Sequence, residues 1–135
     1  MSHFIMRRAV LTALAVSSMV CFGSIARADI GDYEFQLLDQ AIKAGPDRII
    51  TVRLMNKATG KPVPDAVIFA TRLDMAPDGM AEMATKITPI PAIEPGSYRF
   101  KATLGMAGGW QLSLGAKVQG ETGTVDNKLV IRAEK

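Results

Sequence analysis

Cysteine and histidine are almost missing from this sequence, with one of each in 135 residues. Both, Cys21 and His3, lie in the first 28 residues. Beyond that point there is no disulfide, no thiolate and no imidazole, which excludes a Cys–His nucleophile and a zinc site of the usual N/S type. Serine is scarce there too. Ser97 and Ser113 are the only two, both within segments of strand character and neither with a histidine to activate it. Carboxylates are present, but no pair stands out as an acid–base couple, and their default place is a solvated β surface. Catalysis is therefore not expected. No low-complexity run or internal repeat occurs, and no segment of ten or more residues holds a helical period.

The start of the chain has the three regions of an export signal. Arg7 and Arg8 are followed by an uncharged apolar stretch over residues 9–25, and Ala26-Arg27-Ala28 supplies the small residues that signal peptidase reads. At about 17 residues the apolar run is at the lower limit for a membrane span, so a cleaved leader over 1–28 is the better reading. A lipid-anchored alternative through Cys21 fails locally, because Val20 stands where a small residue is needed. Cleavage after Ala28 leaves a single domain over 29–135, placed in the periplasm, with no membrane insertion. It also removes Arg7, Arg8 and Arg27. The formal charge of +3, from 16 basic and 13 acidic residues, then belongs to the leader, and the mature domain is balanced. A balanced domain lacks the basic footprint that nucleic acid or an anionic membrane surface requires. An exported domain without disulfides must rest on its core alone.

What remains is a series of short β-type segments separated by Gly, Pro, Asn and Asp. They fall at 33–37, 48–55, 66–73, 84–90, 97–104, 110–118 and 124–133. Ile50, Val52 and Leu54 share one face, as do Tyr98, Phe100, Ala102 and Leu104, and Trp110, Leu112, Leu114, Ala116 and Val118. Such alternation means one buried and one wet face, the antiparallel habit. The segment at 84–90 carries Pro89 and reads as an edge. Seven strands with turns between them fit an all-β, immunoglobulin-like antiparallel sandwich. Pro95-Gly96-Ser97-Tyr98 suits either a tyrosine-corner-like contact or an ordinary core aromatic.

One stretch departs from this pattern. Residues 73–83 read Leu-Asp-Met-Ala-Pro-Asp-Gly-Met-Ala-Glu-Met, and Pro77 with Gly79 argues for a loop. It places Met75, Met80 and Met83 together. Met106 lies in a second Gly-rich loop just ahead of Trp110, the sole tryptophan. If each connection reverses the chain, the two loops share one end of the sandwich. Thioether sulfur is a soft, neutral ligand that suits Cu(I) or Ag(I), and the Trp110 indole would cap such an ion by a cation–π contact. The same methionines equally suit an adaptable apolar surface for a protein partner, or a plug for the end of the core. Asp74, Asp78 and Glu82 offer a hard-ion alternative, but their spacing does not match a calcium loop of EF-hand type. Met55 lies in a strand and is read as core.

The run Gly60-Lys61-Pro62-Val63-Pro64-Asp65-Ala66 before a strand, the methionine loop, Pro95-Gly96-Ser97-Tyr98-Arg99-Phe100 and Met106-Ala107-Gly108-Gly109-Trp110-Gln111-Leu112 together resemble the YtkA-like or FixH-like domain. The resemblance covers residues from about 47 to 118. It implies a periplasmic β-sandwich of the kind found beside heavy-metal efflux and copper systems, with an efflux or copper-handling protein as partner. It also implies methionines at the positions of Met75, Met80 and Met83 and a tryptophan at that of Trp110. Many copper-handling relatives also use histidine, which this mature chain lacks. FixH-like members carry a membrane anchor, whereas this chain loses its one apolar segment with the leader.

Overall fold

The computed structural model describes residues 29–135; the export leader expected over 1–28 lies outside the described residues. After a single 3-10 turn (Ile30–Asp32) the chain forms ten strands. These are β1 (Tyr33–Leu37), β2 (Ala41–Lys43), β3 (Gly45–Asn56), β4 (Lys61–Pro62), β5 (Val67–Met75), β6 (Met80–Thr85), β7 (Ile87–Ile90), β8 (Ser97–Leu104), β9 (Gly108–Lys117) and β10 (Val125–Glu134). A second 3-10 turn, Ala76–Asp78, joins β5 to β6.

The strands build two sheets. One runs β1-β3-β8-β7, with β4 also paired to β3; the other runs β2-β10-β9-β5-β6. All pairings are antiparallel except β2 with β10. This is the strand partition of an immunoglobulin-like sandwich. The chain crosses between the sheets after β1, β2, β4 and β8 and, at Lys86, between β6 and β7.

The predicted alternation is what fills the interior. Phe35, Ile50, Val52, Leu54, Phe100 and Leu104 face inward from the first sheet. Leu73, Met75, Trp110, Leu112, Ala116 and Ile131 meet them from the second. Burying side chains of this size contributes about 1.5–3 kcal/mol each, and the described residues contain no cysteine that could add a disulfide to it. Tyr98 lies beneath the crossover from β4 to β5. Its hydroxyl donates to the Val63 carbonyl (2.8 Å) and accepts from the Ala66 N–H (3.0 Å). Its ring meets Phe35 edge-on, with centroids 6.2 Å apart. Tyr98 thus ties β8 to the crossover between the sheets instead of closing its own turn.

The structure differs from the sequence reading in three respects. Ten strands stand where seven were expected, because β2 and β4 were not foreseen and one expected strand is two; β2 joins β10 in parallel. The run at 84–90, expected as one edge strand, changes sheets at Lys86: Thr85 pairs with Leu73 in one sheet, and Ile87 pairs with Ala102 in the other. The long methionine loop is instead a tight hairpin. β5 continues to Met75 and β6 starts at Met80, so only four residues lie between them.

Candidate functional site

The hairpin closes through local chemistry. Pro77 sets the 3-10 turn, and Gly79 adopts a left-handed conformation (φ 74°) that returns its N–H to the Ala76 carbonyl at 2.9 Å. Asp74, almost fully buried, holds both sides. One carboxylate oxygen accepts the Ala76 N–H at 2.9 Å and the other accepts Arg72 Nε at 2.7 Å. Arg72 also donates to the Ala81 carbonyl on β6, at 2.9 Å. The Ala76 N–H, and then the Arg72 guanidinium, hold the Asp74 carboxyl below the usual carboxylate range, against the opposing effect of burial.

The second connection, between β8 and β9, presses against this turn. The Asp78 carboxylate accepts the Gly109 N–H at 3.1 Å. Gly108 has a φ of 142°, and a side chain there would strike the Asp78 carboxylate and lie within 2.9 Å of the Met75 methyl carbon. At Gly109 a side chain would lie 2.9 Å from Pro77. Two consecutive glycines are required because two turns share this space. The expected meeting of the two connections at one end of the sandwich is therefore present.

The five residues singled out in the sequence occupy three environments. Met75 is fully enclosed (0% exposed) and belongs to the core, because it follows the inward phase of Leu73 on β5. Met80, directly across from Met75 in register, is half-buried against that core. Met83 and Met106 are exposed, by 45% and 43%. Trp110 is buried at 3% exposure, and its indole N–H donates to the Met106 carbonyl at 3.1 Å, which fixes the backbone of the second connection. Its polar edge is thus already satisfied within the chain.

The hard-ion alternative does not hold. Asp74 and Asp78 spend their oxygens on Ala76, Arg72 and Gly109, and among the described residues no group of three or more His, Cys, Asp or Glu could hold a metal ion. The Asp78–Gly109 contact was absent from the sequence reading. Its signal is there in hindsight: an acid after Pro77, and a glycine pair where one glycine suffices for a turn.

With this geometry in place, three comparisons bear on the chain. A search of curated protein sequences returns no match. Among solved structures, the crystal structure of the Lin-41 filamin domain is similar at 18% identity and a TM-score of 0.44, over 80% of this chain and 97% of that one. The sequence profile described as YtkA-like matches residues 27–115, which include the methionine hairpin, the Gly108–Gly109 pair and Trp110. The chain belongs to the YtkA-like family.

Proposed function

We propose that this is an exported accessory domain that works as a metal-free interaction module, presenting the end formed by the β5–β6 hairpin and the β8–β9 connection to a protein partner in the periplasm. One observation carries the reading. Met106, on the β8–β9 connection, and Met83, on β6 three residues beyond Met80, are exposed, while Met75 and Trp110 are locked into the core. A flexible thioether on a rigid base makes an adaptable apolar contact. The envelope protein that co-purifies with a tagged chain tests this. A Met83→Leu/Met106→Leu variant keeps it, because the apolar contact survives. A Met83→Asp/Met106→Asp variant loses it. Co-purification that ignores the two charges removes the basis of the reading.

A second reading, a Cu(I) or Ag(I) site, is favoured by one specific contact. The Met75 methyl reaches Gly108 of the second connection, with Met80 opposite, so two thioethers of the hairpin lie against the connection that carries Met106. The donor chemistry fits a soft ion; the burial of Met75 and Trp110 weighs towards the apolar surface. A Cu(I) competition titration against a chromogenic chelator separates the two. Binding tighter than micromolar that quenches Trp110 fluorescence, and that disappears in a Met75→Leu/Met80→Leu/Met83→Leu variant, replaces the first reading with the second.

A further inference from the structure

β5 has an open flank. On one side it pairs with β9 from Val67 to Asp74. On the other, β6 covers only Leu73, Asp74 and Met75 before the chain leaves at Lys86 for the opposite sheet. Residues 67–72 therefore have no strand partner on that side among the described residues. The backbone groups there form a ready template for another strand. The devices that usually protect such an edge are sparse. There is no proline and no lysine in this stretch, and Arg72 at its far end is its one charge. Val67 and Phe69 are 60% and 56% exposed. Phe69 is the extra residue of a bulge, and its ring lies against Gly115 on the outer face of the sheet. Beside the edge, between the two sheets, a cleft of about 260 Å³ is walled by Ile68, Pro89, Ile90, Tyr98 and Phe100. An incoming strand would send alternate side chains into that cleft and over Phe69.

We infer that the occupant of this edge is a second copy of the chain, paired through β5 antiparallel to β5 about a two-fold axis between Ile68 and Phe69, which sets residue 65 of one copy opposite residue 72 of the other. Charge complementarity selects this occupant. The stretch over 66–71 carries no charge; Asp65 precedes it, Arg72 ends it, and Lys86 follows Thr85 beside that same end. Antiparallel pairing sets the Asp65 of each copy towards the Arg72 and Lys86 of the other, twice per dimer, and keeps like charges apart. The contact is isologous, so it closes at two copies and extends each five-stranded sheet across the axis. This edge lies away from the Met75 tip of β5, so dimerisation stands or falls independently of the function proposed for that end.

The test is the mass of the exported protein, purified after expression with its own leader, by light scattering and sedimentation over a concentration series into the high micromolar range. The wild type should approach twice the monomer mass. Ala70→Lys, which brings a lysine of each copy into the uncharged paired stretch opposite Val67 of the other, should raise the dimer dissociation constant by about 10-fold or more. Asp65→Asn should raise it by about 3- to 10-fold at low salt, with the difference fading at high salt. Val130→Lys, on the same outer face but on β10, should leave it unchanged. Should Ala70→Lys fail to fold, cysteine cross-linking replaces it, since the chain after the leader has no cysteine. Phe69→Cys should then form a disulfide-linked dimer on oxidation and Val130→Cys should not. A wild type that stays monomeric leaves the edge to some other strand and overturns the inference. A dimer indifferent to Ala70→Lys, one equally sensitive to Val130→Lys, or equal cross-linking at both engineered cysteines overturns it too.

Discussion

The two halves of β5 run along the same neighbour, β9, and differ in nearly everything else. Leu73 and Asp74 are flanked by strands on both sides and Met75 by β6, all three are buried, and the end of the strand is clamped by Asp74, Arg72 and the pressed glycines of β9. Over 67–72 it has a single flanking strand and exposes Val67 and Phe69. Composition does not explain the difference, since Val67, Ile68 and Phe69 are as apolar as Leu73 and Met75. The cause is the path of β6, which leaves the sheet after Thr85. Hydrophobicity proposes burial, but in a sheet the neighbouring strand decides it. Function therefore has two separate places to act on one strand, a rigid tip and an open edge.

The comparison breaks most sharply at Met75. Truncating it empties a fully enclosed site whose surroundings are held by Gly108 and Leu73. Met75→Ala should cost about 2–5 kcal/mol in urea unfolding. Met83→Ala, on β6 and exposed like the open half, should stay within about 0.5 kcal/mol of the wild type. Equal losses would mean that Met83 is packed and that the tip is not a free apolar surface.

How much of this was legible in the sequence follows the same division. The inward faces of β3, β8 and β9 were legible because their alternation is uninterrupted, and β8 begins and ends where its pattern does. The sheet change at Lys86 was not, because residues 84–90 carry no turn residue between Thr85 and Ile87; the switch is a tertiary event with no local mark. The methionine segment was misjudged for the opposite reason. Pro77 and Gly79 are genuine turn signals, but they account for only four residues, and packing draws Met75 and Met80 into the sheet on either side. The meeting of the two connections followed from strand order. The fate of each methionine did not, because it depends on phase at a strand end, where one residue separates core from solvent. The sequence left Tyr98 open between a corner-like contact and an ordinary core aromatic, because the partners of its hydroxyl, Val63 and Ala66, lie more than thirty residues away in sequence.

Asp74 sits at the boundary between the halves and sharpens the comparison in a way pH can read. Its carboxyl is lowered in the folded chain, first by the Ala76 N–H and then by Arg72. A lowered value means that the ionised form stabilises the fold. The contribution is complete above the ordinary aspartate value of about 3.9 and is lost as pH falls through the folded value beneath it. Asp74→Ala should cost about 1–3 kcal/mol at neutral pH. Its stability should also fall less steeply than that of the wild type below about pH 4. Parallel curves for the two proteins would show that the tip is not clamped by this charge.

The smallest effect belongs to the open half, and it tests whether that half is held at all. Its lead-in is fixed by the Tyr98 hydroxyl, which serves Val63 and Ala66 at once. Tyr98→Phe keeps the ring against Phe35 and removes only the oxygen, leaving the Ala66 N–H and the Val63 carbonyl to find water at a half-exposed site. The expected loss is about 1–2 kcal/mol. Amide hydrogen exchange should accelerate over 66–72 while residues 73–75 stay protected, because the two halves open by different events. Acceleration spread evenly along β5 would mean that the strand opens as one unit, and that the contrast between its tip and its edge is one of exposure alone.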